Sequence, residues 1–435
     1  MKPIVHLLLH VKKARSALDR GRKADAKQSN SSKHTVIGES KSSTSVVGKV
    51  NPTPTSSPWD LLPVELQVKI FAYCGVGDLL PLRLVCRGFY QVLTSHEQLI
   101  SRQYLRQRRH GTLPSPIESE RTYTRNPEDD VVLLSDLFPP AKSAKGGHLY
   151  TFRYVHSLRR RQKLCSRLCY YLADRAMDRF VQCENAFMKS TFPTRKEKNA
   201  LVQRGIASLW FNLTPLMYYT LYFLESYSLA RREHTNTLLR EFEAGRLPVP
   251  IPPHLRRSMY RELQVKILRS PPFTDTSTLI ATHHCMQLLL SYLRYTVPPE
   301  QGLQDDGWIG SLLTVSPFLR LVEYFSAEIG DGGNQRLQRK DFMYNFDNDI
   351  MMHEKDDMNS LVFERAPNWH AHHSAADIWF DAAREELALR NAVPHDTEKI
   401  WIWDQIPLLL GCPHCRDESD GCLSVYCIGS VDWSW

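Results

Sequence analysis

Between Trp59 and about Arg109 the chain carries apolar stripes too broad for so short a stretch to bury by itself. Pro63 follows Leu61-Leu62 and precedes "VELQVKIFAYC". The first turn of a helix has backbone N–H groups without intrahelical partners, so a proline there costs no hydrogen bond. Pro63 therefore predicts a helix start, with Glu65 near the positive end of the dipole. Leu66, Ile70, Phe71 and Cys74 recur at helical spacing, and Gly75 is the expected left-handed stop. Asp78 as an N-cap makes Pro81 the third residue of a second helix, still within its unpaired turn. That helix carries Leu82, Val85, Phe89 and Leu93 as a stripe, widened by Leu84 and Cys86. A third helix has Leu99, Tyr104 and Leu105 on its apolar side and Arg102, Arg106, Arg108 and Arg109 on its polar side. A trio of about 45 residues buries too little surface to be secure alone. It needs another surface to complete its core.

The rest of the chain points to an all-α protein. Val155, Leu158, Cys165, Leu168, Leu172, Ala176 and Phe180 mark one face of a long amphipathic helix. Further helical runs are predicted around 197–212, 215–243, 254–268, 277–296, 309–328 and 374–392. "LPVPIPPHL" reads as a stiff extended connector, and 330–370, rich in Gly, Asp and Asn, as a long surface loop. No period-two strand series and no repeat of solenoid length stands out. The expected organisation is a disordered basic tail over 1–58, the short helical module over 59–109, a linker over 110–147, a larger irregular helical domain over 148–400 and an irregular Cys-containing tail over 401–435.

Charge narrows the partners. The formal net charge is +8, but residues 1–58 hold 11 Lys+Arg against 3 Asp+Glu, and subtraction from the totals of 55 and 47 leaves 44 of each sign in the rest. The basic excess belongs to the tail, so no nucleic-acid partner is expected of the body. Ten scattered cysteines fit reduced thiols, hence a cytoplasmic or nuclear protein. The apolar "IVHLLLHV" near the start is followed by "KKARSALDRGRK" rather than a cleavage site. An untargeted tail is the simpler reading, with mitochondrial association the rival. The uncharged "GIASLWFNLTPLMYYTLYFL" has spanning length, but Thr214-Pro215 divides it into the end of one helix and the start of another, so no membrane span is expected.

The short module resembles an F-box. The residues that carry the resemblance are Leu62-Pro63-Val64-Glu65, Ile70, Asp78-Leu79-Leu80 and Leu82-Arg83-Leu84-Val85-Cys86-Arg87, with Phe89 as the aromatic. Cys74 stands where the family commonly has Leu, and Pro81 is an unusual choice. The resemblance implies docking onto the Skp adaptor and through it a cullin, with the remainder of the chain selecting an unknown protein substrate. It assigns docking to Leu62, Pro63, Leu66, Ile70, Leu79, Leu80, Leu82, Val85 and Phe89. For Leu82, Val85 and Phe89, holding the helices together is at least as good an explanation. The implied function is a non-catalytic substrate-recognition subunit of a Skp–cullin–F-box ubiquitin ligase. A scaffold or targeting protein that uses the adaptor without a cullin is the alternative.

Other chemistry is thinner. Cys412, Cys415, Cys422 and Cys427 could supply four thiolates to zinc, with His414 or His370, His372 and His373 as substitutes. Reduced thiols in a loose tail are the simpler reading, so no cofactor is expected. A zinc-containing enzyme or binding protein is the third hypothesis. "CPHC" lacks the βαβ frame of a redox pair. No nucleophile–base pair, Walker A pattern, dinucleotide fingerprint or HExxH appears, and no catalytic residue is assigned. The basic runs 106–110 and 159–163 read as solvated helix faces, and His283-His284-Cys285 as structural.

Overall fold

The computed structural model describes residues 58–109, 130–183, 189–190, 192, 194–295, 307–329, 332–359, 362–364 and 377–392, apart from residues 60, 145 and 248. Among these the protein is all-α, as the periodicity predicts, with isolated β-bridges only at Lys142–His148 and Ile251–Phe363. The N-terminal module holds α1 (Val64–Tyr73), α2 (Val76–Leu82), α3 (Arg87–Ser95) and α4 (Glu97–Arg109). Within the interval expected to be a linker lies α5 (Asp130–Leu137). The body follows with α6 (Phe152–Cys183), α7 (Arg195–Glu243), α8 (Pro253–Leu268), α9 (Thr276–Tyr295), α10 (Gly307–Thr314), α11 (Leu319–Ile329), α12 (Gly332–Asn359) and α13 (Phe380–Leu389).

Four local expectations are corrected. The trio is a quartet, because the predicted second helix breaks over Arg83–Cys86, where the Arg83, Leu84 and Val85 amides bond only three or four residues back. Helix α2 begins at Val76, so Pro81 lies in its interior, and the helix stops one residue later. A proline removes a donor and crowds the turn before it, so in a seven-residue helix its cost falls on most of the element. Gly75 has φ −63° and caps α2 rather than closing α1 in the left-handed region. Residues 332–359, expected to be loop, form α12: Phe342 and Phe346 are buried on one side, which outweighs the polar composition.

Thr214-Pro215 does not divide α7, which runs unbroken for 49 residues. Its middle lies between α6 and α9 and buries Leu213, Met217, Tyr218 and Leu221. Each fully buried apolar side chain contributes about 1.5–3 kcal/mol, which together offsets the roughly 3 kcal/mol cost of an internal proline. The Thr214 hydroxyl donates to the Trp210 carbonyl at 2.6 Å, and Trp210 Nε1 donates to the Ser166 carbonyl at 2.9 Å. Thr194 and Glu197 start this helix with a reciprocal capping box. Gly245, at φ +69°, ends it: its amide and that of Arg246 close back on Phe242 and Glu241. No described helix is long and apolar enough to cross a membrane.

One hydrophobic cluster extends from Val68 in α1 to Leu387 in α13. Trp379 is fully buried at its far side, edge-on to Phe223 at 4.6 Å and Phe273 at 5.6 Å. Its indole N–H donates to His283 Nδ1 at 3.2 Å, so His283 is structural, as expected. Trp379 has φ 142°, a conformation that a bulky residue keeps only when its surroundings dictate it. Helix α13 is also tied to α8 and its flank by charge. Glu386, which burial would push up, is instead held low by Arg269 at 2.8 Å and Arg390 at 3.0 Å.

Cys165 and Cys169 on α6 and Cys285 on α9 are fully buried, as the apolar stripe of α6 predicts for the first two. Burial pushes all three thiols up, Cys285 to about 12. They are therefore inert at neutral pH. Alkylation of native protein is expected to spare these three and modify exposed Cys86. Where the unfolded chain begins to lose thiol protons, near pH 9, the folded chain still holds them. Stability should thus fall as pH rises above about 9. Native labelling of Cys169 at a rate matching Cys86 would contradict this packing.

Candidate docking site

The module starts with a clamp that the sequence reading missed. Trp59 to Leu62 form a turn, with the Leu62 amide on the Trp59 carbonyl at 3.1 Å. Gln67, buried within α1, donates through Nε2 to the carbonyls of both Trp59 and Leu62 at 3.0 Å. Pro63 follows as the N-cap of α1, one position earlier than a first helical residue, and its carbonyl receives the Leu66 and Gln67 amides. Trp59, Phe71 and Phe89 then pack edge-to-face, with ring centroids 4.8–5.3 Å apart, joining the opening turn, α1 and α3. Cys86 has a local role here: its sulfur caps α3 by accepting the Phe89 amide at 3.4 Å.

Helix α1 is apolar on two sides. Val68, Phe71 and Ala72 face inward and are buried, whereas Leu66, Ile70 and Tyr73, spaced by four and three, are exposed. Beyond Pro81 the chain exposes Leu84 at 87% and Val85 at 65%. Ten of the nineteen exposed large apolar side chains among the described residues lie between Leu61 and Leu99. Scattered surface leucines need no explanation, but this concentration in so short a segment marks an interaction surface.

Of the nine residues expected to dock, Pro63, Leu66, Ile70, Leu80 and Val85 are exposed, and Leu62, Leu82 and Phe89 are half-buried. Leu79 is 2% exposed and sits in the interior, where its role is to hold the module together. Val85 is not part of an internal stripe, because the break before α3 turns it out to solvent. Tyr73 and Leu84 belong to the same exposed set. Their signal in the sequence was an apolar residue off the inward face of its helix.

The module is built into the body. Ile100, Tyr104 and Leu105 of α4 are buried, and α4 packs on α5 and α6 as well as on α1 and α3. Glu97 joins three elements: Oε2 pairs with Arg83 at 3.2 Å, and Oε1 accepts the Phe152 amide at 2.7 Å, at the start of α6. The Arg83 guanidinium also lies 5.0 Å from the Phe152 ring. The basic runs are correspondingly less solvated than expected. Arg108 donates to the Ala72 carbonyl at 3.2 Å, and Arg161 donates through Nη2 and Nε to Glu225 Oε2 at 2.7 and 3.0 Å and through Nε to Oε1 at 3.2 Å. Glu97→Ala is expected to lower unfolding stability by about 1–3 kcal/mol, because it strands a charged partner and an amide. Urea unfolding of the full chain measures this; an unchanged midpoint would show that Glu97 joins nothing.

The four C-terminal cysteines and the histidines at 370, 372 and 373 lie outside the described residues. Among those described, no group of His, Cys, Asp and Glu is placed to hold a metal ion.

A family model for the F-box-like domain matches residues 59–106. No curated protein and no solved structure matches the chain. The match begins at the Trp59 turn and ends inside α4, so it encloses the aromatic trio, the break after Pro81 and the outward-facing leucines. Residues 59–106 of this chain are an F-box-like domain.

Proposed function

We propose that this protein is a non-catalytic substrate-recognition subunit of a Skp–cullin–F-box ubiquitin ligase. The observation that carries the reading is the outward apolar set of the F-box-like domain, left open by the later helices among the described residues. An F-box-like domain points to a Skp-binding adaptor role. The cullin and the substrate are the further steps of the proposal. Such a subunit acts by position: it converts the meeting of a substrate lysine with a charged conjugating enzyme into a nearly intramolecular event.

The shared core supports this mechanism. A docking module that packs directly on the body holds a bound substrate at a fixed orientation to the adaptor, with no loose joint to average it out. The body would supply the substrate contact. One cleft there, of about 320 Å³, is lined by Tyr227, His254, Arg257, Arg261, Gln264 and Asp377 among others. This is at the lower end of the size range for ligand sites. It suits a side-chain anchor of a bound segment.

The test is affinity purification of the full chain, wild type against a variant with Leu66 and Ile70 replaced. Recovery of the adaptor and a cullin with wild type alone supports the ligase. Recovery of the adaptor without a cullin favours the scaffold instead.

A further inference from the structure

Helix α12 carries a second face that no described residue covers, on the opposite principle from the docking domain: apolar and charged residues alternate along it. Inward, Phe342 packs at 5.3 Å from the Tyr324 ring of α11, Phe346 stacks beside it, and Asp349 pairs with Arg320 at 2.7 Å. Outward, Leu337, Lys340, Tyr344, Asp347 and Met351 succeed one another at intervals of three and four residues, and all five are exposed. Leu337 is 63% exposed, Tyr344 70% and Met351 51%. This is the spacing of a coiled-coil seam, about 21 Å long at 1.5 Å per residue.

The charges say what fits it. A parallel copy of the same helix would set Lys340 against Lys340 and Asp347 against Asp347. An antiparallel copy turned about Tyr344 matches Leu337 with Met351 twice, seven residues to either side of the axis. It also brings Lys340 within one residue of the second copy's Asp347, within reach of a lysine stem. The seam is thus complementary to itself in one orientation only, as a closed two-fold interface requires.

We infer that α12 is a homodimerisation surface, pairing antiparallel with α12 of a second copy. With two charges among five seam positions, the apolar contact is small, and the dimer is weak and concentration-dependent. For a ligase subunit this would present two adaptor-docking faces per assembly, but the inference stands independently of the adaptor reading.

Sedimentation velocity of the full chain between about 1 and 100 μM tests it. Wild type is expected to shift from monomer to dimer across this range. Tyr344→Glu, which sets like charges face to face on the axis, is expected to stay monomeric with an unchanged melting temperature. Lys340→Glu and Asp347→Lys should each weaken self-association at least tenfold, whereas an equimolar mixture of the two should form a heterodimer, since every cross-pair is then opposite in sign. The inference is overturned if wild type stays monomeric throughout, as when another segment of this chain covers the seam. It is equally overturned if a dimer forms and Tyr344→Glu leaves it intact.

Discussion

A full-length chain carrying Leu66→Asp and Ile70→Asp is expected to lose capture of the Skp adaptor while keeping its fold. Both side chains sit on the outer face of α1, more than two-fifths exposed, so the core beneath them is not disturbed. Aspartate costs a helix surface at most about 0.7 kcal/mol per position, and the melting temperature should fall by only a few degrees. At an apolar interface, loss of an anchor residue costs about 2 kcal/mol or more, roughly 30-fold in affinity. The two together should weaken adaptor binding about 1,000-fold. Leu79→Asp is the informative contrast. It buries a charge in the module's interior, so adaptor binding should fall together with the thermal transition. Leu62→Ala with Pro63→Ala is expected to reduce binding as well, by trimming a half-buried contact at the helix start. If the Leu66/Ile70 variant retrieves as much adaptor as wild type, the docking face is not where the exposed leucines lie.

Residues 58–109 alone are expected not to fold. This second large effect follows from the shared core. In the full chain Ile100, Tyr104 and Leu105 are buried on α4, which packs on α5 and α6 as well as on α1 and α3. Removing the body strips α5 and α6 from this helix, and each apolar side chain uncovered loses about 1.5–3 kcal/mol. A unit of this size has only about 3–5 kcal/mol of core stabilisation to spare. The Glu97 link to the Phe152 amide disappears too. The fragment should therefore show weak helicity and no cooperative melt by circular dichroism, whereas residues 58–392 should melt in one step. A sharp, reversible transition in the fragment would mean that the domain is autonomous and the body merely adjoins it.

A hinge between adaptor and substrate would let many lysines reach the conjugating enzyme. In the proposed ligase a packed joint would restrict which lysines come within range and make the orientation of the body part of specificity.

Much of this was legible in the residues. Helical periodicity in "VELQVKIFAYC" and in the Val155–Phe180 stripe gave the all-α class, because burial of one face every 3.6 residues leaves a direct imprint on composition. The proline at 63 and the order of leucines up to Phe89 marked the F-box-like segment, since a helix start and a family motif are both local properties. What sequence could not decide is which apolar face of a two-faced helix points inward. Leu66 and Phe71 are equally apolar in α1, and only the approach of Trp59, Phe89 and α4 selects Phe71 for the interior. The same holds for Leu79 against Leu80.

Proline and polar composition misled in the same way. Pro215 ends an isolated helix, but between α6 and α9 the buried side chains on either side keep α7 unbroken. Residues 332–359 have no overall apolar bias, yet Phe342 and Phe346 suffice once Tyr324 stands opposite. The chain thus determined by itself its helices, its docking motif and the surplus of apolar surface. Tertiary structure alone decided how that surplus divides into core and exposed face, because burial belongs to pairs of elements and is written in neither one.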